Sequence, residues 1–352
     1  EKAAGINKPK SRYIDIFFVT KLVCNRYLLK KWSEHLIIVP GFLLRGIYKI
    51  NSFLPGGDAF VVKGNDLTTN NDRDIYNLYA STEPIIQFDT EERALGGLLM
   101  EELGIPQGAK FITLTVRDSS YLETVMPNKD WSYHNYRDSD IDNFILASES
   151  LADLGFFVVR VGVKVRKELN TKHPRIIDYA CNGKRTEFLD LYLAAKCEFC
   201  ISTGNGFDAL PCIFRRPVLF VNHITLGKLP TYVNGLAITK HHYSIKLKRR
   251  LSLEEINNHN AMGFNGHTNY NDLEIELQEN SPEEIRDVCL EMVEILEGSC
   301  VISKEDRFLQ EKFWRIFLGS ELRSCKPEDK PMHGKILSRI GRSYLREEGF
   351  LD

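Results

Sequence analysis

A loop of small polar residues is the part of this sequence best suited to hold an anion. The loop comprises Ser202, Thr203, Gly204, Asn205 and Gly206, and it lies between a short apolar run and a helical pattern. A strand, a Gly-rich turn and a helix in this order place backbone N–H groups and a helix N-terminus where a phosphate can bind. Gly-rich turns are common, so the loop taken alone is equally consistent with an empty turn in a βαβ unit.

Arginines follow two of the predicted strands. Arg117 comes directly after the apolar run 111–116, and Arg160 and Gly162 lie at the end of the run 156–161. In a doubly wound sheet, ligands bind outside the carboxyl ends of the strands. A guanidinium group at such a strand end can hold a phosphate through two parallel hydrogen bonds. We therefore expect both arginines and the glycine to contribute to a phosphate site.

The long loop after the first of these arginines carries further polar side chains. Asp118 is either an ion-pair partner of the arginine before it or a catalytic carboxylate. His134 and Arg137 lie just before a helical pattern, whose N-cap we expect to be Asp138 or Ser139. A loop of this length in a compact domain is more often functional than not, so His134 and Arg137 are included in the predicted site.

Asn222 completes the set, because it follows the apolar run 218–221. The carboxyl ends of parallel strands meet at one edge of the sheet, and so the arginines, the small polar loop and this asparagine are expected to converge there. Convergence of this kind favours a phosphorylated ligand such as a nucleotide or a sugar nucleotide.

Alternating strands and helices must position these residues. Apolar runs predict strands over residues 14–19, 36–39, 59–62, 111–116, 156–161, 199–201, 218–221 and 236–239. Amphipathic patterns predict helices between them, over residues 21–32, 42–53, 91–103, 139–154 and 186–195. Such alternation is typical of an α/β fold with helices on both faces of a doubly wound parallel sheet. After residue 251 the pattern is helical, over residues 252–258, 281–296 and 307–322.

A stretch that contains glycine and proline, residues 104–108, marks the predicted domain boundary. We predict a Rossmann-like N-terminal domain on the acceptor side, a Rossmann-like nucleotide-sugar domain, and a helical segment that packs back on both, over residues 1–105, 106–260 and 261–352. The opening strand expected of the first domain is not evident in residues 1–12.

The composition excludes several classes of protein. The chain has 352 residues, of which 43% are hydrophobic and 27% charged, and its net charge of −2 gives no reason to expect nucleic acid as a partner. No secretory signal is visible, so a cytoplasmic protein is expected. The most apolar stretch, residues 36–50, is interrupted by Pro40 and Arg45 and is not expected to span a bilayer. Cys197 and Cys200 lack a second pair at zinc-ligand spacing, so no zinc site is expected.

The most basic run of the chain extends from Lys240 to Arg250. A solvated surface is the simplest interpretation of such a run. The alternatives are contact with an anionic acceptor or with membrane headgroups, and the latter would place the protein peripherally at a membrane.

Several motifs resemble, in the same order, those of a family of bacterial glycosyltransferases found in surface-polysaccharide gene sets. The motifs are VRDSSY (116–121), YRDSDI (136–141), GFFVVRVG (155–162), IDYA (177–180) and the stretch 199–222. Residues 25–32 and 334–351 resemble the same family, so the likeness covers nearly the whole chain.

The resemblance implies a GT-B-like architecture, in which two Rossmann-like domains face each other across a cleft and the second holds most of the nucleotide-sugar donor. A more distant similarity is to fucosyltransferase-type enzymes, in which an arginine after a strand contacts the donor diphosphate, and Arg117 is the matching position. The implied activity is transfer of a hexosyl or deoxyhexosyl group to an oligosaccharide or lipid-linked acceptor, in the cytoplasm or at the inner face of the bacterial membrane.

One departure from related enzymes bears on the mechanism. Many retaining GT-B enzymes carry two glutamates eight positions apart around the Gly-rich loop, whereas this chain has Asn205 and Ile213 there. We therefore expect inversion, with Asp118 and His134 as candidates for the general base. Arg117, Arg160 and the loop amides would stabilise the leaving diphosphate. No metal and no cofactor beyond the donor are expected.

Two alternatives stay open at the level of the sequence. The chain could be a non-catalytic scaffold of the same fold that binds nucleotides or glycans. It could also be another GT-B-like enzyme, such as a sugar-nucleotide epimerase or a phosphorylase.

Overall fold

The computed structural model describes residues 14–19, 22–61, 74, 76–263, 267–322 and 333–352. Within these ranges the strands are β1 (Ile16–Val19), β2 (Ile37–Pro40), β3 (Phe111–Thr115), β4 (Phe157–Arg160), β5 (Ile176–Asp178), β6 (Cys200–Ser202), β7 (Val218–His223), β8 (Gly235–Thr239), β9 (His241–Ser244), β10 (Arg249–Arg250), β11 (Ile275–Gln278) and β12 (Ser338–Ile340). The α-helices are α1 (Arg26–Ser33), α2 (Gly41–Asn51), α3 (Leu78–Ser81), α4 (Thr90–Glu102), α5 (Ser120–Val125), α6 (Ile145–Asp153), α7 (Glu187–Lys196), α8 (Ala209–Ile213), α9 (Leu253–Asn258), α10 (His267–Asp272), α11 (Pro282–Leu296), α12 (Lys304–Leu322) and α13 (Arg342–Leu345).

Seven strands form one parallel sheet in the order β5-β4-β3-β6-β7-β8-β12. β3 is the first of these strands in the chain and lies inside the sheet. The chain runs outward from β3 through β4 to β5, and then returns to place β6 on the other side of β3. This is the doubly wound order of a Rossmann fold, in which ligands bind where the direction of winding reverses. The switch point of this sheet therefore lies between β3 and β6.

Apolar side chains cover both faces of the sheet. Ile112, Leu114 and Val158 belong to one buried cluster together with residues of α6 and α11, whereas Phe111 and Val159 belong to a second cluster together with residues of α7. Successive side chains of a strand point to opposite faces, which is why β3 and β4 contribute to both clusters. The predicted α/β class, with a parallel sheet between layers of helices, is confirmed.

The N-terminal part of the described chain has a smaller sheet, in which β1 pairs in parallel with β2. The predicted strand 59–62 is wrong where the structure describes it, because Gly57–Phe60 form a 3₁₀ helix. The glycine pair before it starts a tight turn, which is continued by a hydrogen bond of 3.1 Å from the N–H of Ala59 to the carbonyl of Gly56. Val62 lies outside the described residues.

The helix predicted over residues 139–154 begins differently from the expectation. It consists of a 3₁₀ turn, Ile141–Phe144, followed by α6. Its N-cap is Asp140, whose carboxylate accepts the N–H of Asp142 at 3.1 Å, so the predicted cap at Asp138 or Ser139 is wrong. Asp138 instead ends the preceding 3₁₀ helix and is free to interact elsewhere.

The C-terminal part of the chain contributes strands as well as helices. β9 lies between β10 and β11 in an antiparallel sheet, and β12 pairs with β8 at one edge of the main sheet. The sequence patterns did not predict these four elements β9 to β12, because each is short or mixed in polarity.

The domain boundaries stay a prediction. Among the described residues, no helix combines the length and the apolar character needed to cross a membrane.

Candidate functional site

Hydrogen bonds join the two loops that flank the switch point. Thr115 of β3 is the register partner of Ser202 of β6. Just beyond this pair, the backbone N–H of Arg117 donates to Thr203 Oγ1 at 2.8 Å, and Asn205 Nδ2 donates to Thr115 Oγ1 at 2.9 Å. The loop after β3 and the loop after β6 are therefore held together at the carboxyl edge of the sheet, as their positions in the sequence predict.

The small polar loop uses its own amides internally. The N–H of Gly204 donates to Ser202 Oγ at 3.0 Å, and the N–H of Asn205 donates to Asp208 Oδ2 at 2.9 Å. The same Asp208 oxygen accepts the hydroxyl of Ser202 at 2.8 Å. A carboxylate of the chain thus occupies donors that a bound phosphate would need, and α8 behind it has only five residues. Holding a diphosphate stays a prediction for this loop, and Gly206 at its exposed end has open space around it.

Arg137 reaches across to the same loop. Its Nη2 donates to the carbonyl of Gly204 at 2.7 Å. Gly204 has a φ of +76°, which favours glycine, and a Cβ added there would lie 3.3 Å from Nδ1 of His223. His223 is buried and both of its ring nitrogens lack a hydrogen-bond partner among the described residues. Burial and the charge of Arg137 lower the pKa of His223 to about 4, so this ring is neutral.

Arg117 forms an ion pair with Asp138 rather than with its neighbour in sequence. The distance from Nε of Arg117 to Oδ1 of Asp138 is 3.3 Å, and the two side chains are only 11% and 24% exposed. Burial raises the pKa of Asp138 to about 6, although Arg117 acts in the opposite direction. Burial also lowers the pKa of Arg117, and the charge of Arg137 adds to that effect. Two guanidinium groups and a carboxyl group with a raised pKa thus lie at the switch point.

Lys240 brings a third cation to this edge. It directly follows β8, is buried, and donates from Nζ to the backbone carbonyl of Asp138 at 2.5 Å. Its Nζ lies 4.0 Å from Oε1 of Glu279, and burial lowers the pKa of the ammonium group. The basic run from Lys240 to Arg250 is therefore not one solvated face, because its first residues are buried and its exposed part begins at Ile245.

Asn222 lies at the predicted edge but serves as a brace. It exchanges two hydrogen bonds with Asn280: the N–H of Asn222 donates to Asn280 Oδ1 at 2.9 Å, and the N–H of Asn280 donates to Asn222 Oδ1 at 2.6 Å. Its Nδ2 lies 3.3 Å from both Ser139 Oγ and Glu279 Oε2. This fully buried pair fixes β7 to the segment after β11 and so positions Glu279 beside Lys240.

The two predicted base candidates have different surroundings. Asp118 accepts backbone N–H groups at both carboxylate oxygens, from Ser120 at 2.9 Å and from Arg166 at 2.8 Å. His134 lies on the 3₁₀ helix that Asp138 ends, with its ring centroid 4.0 Å from that of Tyr133.

Nδ1 of His134 is buried and has no hydrogen-bond partner among the described residues. Burial lowers the pKa of His134, and the charges of Arg117 and Arg137 lower it further, which favours the uncharged form of the imidazole. His134 therefore has a ring nitrogen without a partner, whereas both carboxylate oxygens of Asp118 already accept hydrogen bonds.

Arg160 and Gly162 lie on the other side of β3. Arg160 is buried, and its Nη1 contacts Oδ2 of its register partner Asp178 on β5 at 3.0 Å. A Cβ added at Gly162 would lie 2.8 Å from Cγ1 of Val165, so this glycine allows close packing. The role of Arg160 and Gly162 in binding phosphate stays a prediction.

Sequence patterns missed three members of the cluster. Asp138 was assigned to a helix cap, Lys240 to a surface run, and Glu279 to no role. For Lys240 a signal existed, because it directly follows a predicted strand in the way that Arg117 does. Glu279 follows β11, which the pattern did not predict, so nothing in the sequence pointed to it.

A group of possible metal ligands includes the residue that follows Lys240. Among the described residues, His241, Glu284 and Glu347 bring ligand atoms within 4.8 Å of one another. The ring of His241 faces Glu284 from Nε2 at 2.8 Å and Glu347 from Nδ1 at 3.4 Å, and Arg250 contacts Glu347. Because a guanidinium already balances these carboxylates, we interpret the group as an ion cluster that ties β9 to the C-terminal segment.

Comparison with known proteins finds one distant structural likeness. No protein-family model matches the chain, and no curated protein matches it. Among solved structures, the chain is similar to the glycosyl transferase family 9 from Veillonella parvula DSM 2008, with 11% sequence identity and a TM-score of 0.37. The match covers 61% of this chain and 54% of that chain, so the chain spans about half the length of the structure it matches. A likeness at this level carries no conclusion about ligand or reaction.

Proposed function

We propose that the protein is a glycosyltransferase that moves a sugar from a nucleotide-activated donor to a saccharide or lipid-linked acceptor, as in bacterial surface-polysaccharide synthesis. The observation that carries the proposal is the position of Arg117 at the switch point of a doubly wound sheet, with Arg137 and Lys240 beside it. A diphosphate carries the opposite charge and binds at this place in folds of this order. The motif resemblance supplies the reaction class.

Cations at this edge would act mainly on the leaving group. Transfer forms a bond between the acceptor oxygen and the anomeric carbon, and breaks the bond from that carbon to the diphosphate. The diphosphate leaves with the electron pair, and the acceptor proton goes to a base. Arg117, Arg137 and Lys240 would stabilise the charge that develops on the diphosphate, without a metal.

For the base we retain Asp118 and His134 and add Asp138. Asp138 is paired with Arg117 in the structure. A diphosphate that takes over the guanidinium of Arg117 would release this carboxyl group and place it near the reacting atoms. Its raised pKa suits a group that must accept a proton near neutral pH. The transfer is proposed to proceed with inversion.

Titration calorimetry with a panel of nucleoside diphosphates tests the proposal. The wild type is expected to bind at least one of them below millimolar concentration. Arg117→Ala should weaken binding by about tenfold to a hundredfold, because hydrogen bonds to charged groups contribute about 1.5–3 kcal/mol. Arg307→Ala, which changes an exposed arginine on α12, is the matched control and should bind as the wild type does. No binding, or equal binding by the Arg117 variant, would reject the site.

A non-catalytic scaffold is the second candidate, and one observation favours it. The loop amides and both oxygens of Asp118 are already engaged within the chain. A transferase should release nucleoside diphosphate slowly from its donor even without acceptor, and His134→Ala and Asp138→Asn should slow that release. A protein that binds nucleotide but never turns over any sugar nucleotide of the panel would be the scaffold.

A further inference from the structure

The first helix after β2 exposes apolar side chains to an unusual degree. In α2 and the turn after it, Phe42 is 83% exposed, Ile47 63%, Ile50 64% and Phe53 85%. Large apolar residues are exposed singly on most proteins, and a contiguous set of them marks a surface that contacts something. We call the residues Phe42, Leu43, Ile47, Ile50 and Phe53 the α2 face.

The opposite side of α2 is the side that packs on the protein. A Cβ added at Gly41 would lie 2.5 Å from the carbonyl oxygen of Val19, so the helix begins in direct contact with β1. Tyr48 packs on Phe18 of the same strand, with ring centroids 5.8 Å apart. The α2 face therefore is not the face by which the helix is attached.

Charge around the helix has one sign. At 100° per residue, the residues of the α2 face from Phe42 to Ile50 span about 140° of the helix surface, and Arg45 and Lys49 lie one turn apart along one flank of that arc. Between Glu34 and Asp58 the sequence contains no aspartate or glutamate. An apolar arc flanked by cations and without acids is the pattern of a helix that lies in the interface of an anionic membrane.

Length and orientation agree with an interfacial position. α2 has 11 residues, about half of what a helix needs to cross the hydrocarbon core. The arc points away from the sheet, so the helix can lie parallel to a bilayer with the protein above it. A phenylalanine stands at each end of the face, Phe42 and Phe53, and phenylalanine is common on the apolar face of interfacial helices.

The other exposed site with this composition is weaker. Ile245 and Leu247 are exposed between β9 and β10, next to Lys246 and Lys248. The flanking arginines of this hairpin are already paired with carboxylates, Arg249 with Glu255 at 2.6 Å and Arg250 with Glu347. The hairpin has two large apolar residues where the α2 face has five.

We propose that the α2 face docks on an anionic lipid bilayer, with its apolar side chains among the headgroups and with Arg45 and Lys49 on the lipid phosphates. This interaction is independent of the proposed reaction. It would bring the protein to a membrane surface whichever substrate the switch-point site accepts.

Co-sedimentation of the full chain with vesicles tests the proposal. The wild type should pellet with vesicles of phosphatidylglycerol and phosphatidylcholine and at least tenfold less with phosphatidylcholine alone. Phe42→Asp combined with Ile47→Asp should reduce the partition coefficient at least tenfold, and so should Arg45→Glu combined with Lys49→Glu. Ile245→Asp combined with Leu247→Asp is the matched control on the hairpin and should pellet as the wild type does.

Three results would overturn the proposal. The first is a wild type that stays in the supernatant or pellets equally with neutral vesicles. The second is loss of binding in the hairpin variant but not in the α2 variants. The third is a lipid-free dimer by light scattering that the Phe42 and Ile47 substitutions convert to a monomer, because the α2 face would then be covered by a second copy. Unfolding midpoints and nucleoside diphosphate titrations of each variant separate a docking defect from misfolding and from failure of the proposed site.

Discussion

Nε of Arg117 lies 3.3 Å from Oδ1 of Asp138, and this ion pair stands where the winding of the main sheet reverses. An anionic ligand that binds this guanidinium competes with the carboxylate paired to it, so ligand binding and the ionisation of Asp138 are linked. Four measurements follow from this pair and from the contacts around it.

The first prediction concerns pH and Asp138. Because burial raises its pKa from the ordinary 3.8 to about 6, the folded protein binds this proton more tightly than the unfolded chain does. The contribution of this group to stability is therefore largest at acid pH and is lost as the pH rises from about 4 to about 6. The free energy of unfolding of Asp138→Asn, relative to the wild type, should rise by about 2 kcal/mol between pH 4 and pH 7.

Urea unfolding at both pH values measures this difference. The unpaired Arg117 of the variant adds a cost that does not depend on pH over this range, so only the change between the two pH values is diagnostic. A difference that is flat with pH would contradict the raised pKa.

The second prediction concerns Lys240. Lys240→Met should weaken the binding of a nucleoside diphosphate by about tenfold, since it removes a buried charge that contributes about 1.5 kcal/mol or more to a charged hydrogen bond. Lys246→Met changes an exposed lysine of the same basic run and serves as the control. Calorimetry that finds the same loss in both variants would show a general charge effect and no specific contact.

The third prediction separates two glycines of one loop. Gly204→Ala should destabilise the protein by about 1–2 kcal/mol, because alanine is strained at its left-handed φ of +76° and its Cβ would approach His223. At Gly206 an added Cβ meets nothing within 4 Å, so Gly206→Ala should leave the free energy of unfolding nearly unchanged. Denaturant titrations of the two variants measure both free energies of unfolding. Equal values would show that the left-handed conformation of Gly204 does not require glycine.

The fourth prediction uses the reciprocal pair of Asn222 and Asn280. Either alanine substitution leaves buried polar groups of the partner unsatisfied and should cost about 2–3 kcal/mol. The double variant should cost about the sum of the two single variants, because each substitution removes a different bond and leaves a different backbone N–H without its acceptor. A cost of the double variant well below that sum, measured by chemical unfolding, would mean that loss of one bond already breaks the other.

Much of the main sheet was predictable from the sequence because its strands are continuous apolar runs that are buried on both faces. The runs around Phe111, Val158 and Val218 are of this kind, and all three are strands of the parallel sheet. Short elements with mixed polarity, such as β9 and β12, have no such signal, since tertiary pairing decides their conformation.

The candidate site was likewise predictable only in part. Arg117 and the loop after β6 each follow a strand, and this placement predicted that they would meet. The hydrogen bond from the N–H of Arg117 to Thr203 joins them. The position of a residue after a strand does not predict which side chains pair, because pairing depends on how segments distant in sequence pack against each other. Glu279 belongs to the cluster only because the segment after β11 reaches β7, and Asp138 because the loop after β3 folds back onto Arg117.

The edge strand β12 has a consequence for how the protein is made. Ser338 pairs with Gly235, and nearly all of the intervening chain must be synthesised before this pair can form. Until then β8 presents a row of open backbone donors and acceptors, which is a template for pairing with another nascent chain. Contacts so distant in sequence also form slowly. The growing protein therefore passes through a stage at which its central sheet is folded but the β8 edge is unpaired. Expression at lower temperature or with chaperones should then raise the soluble yield.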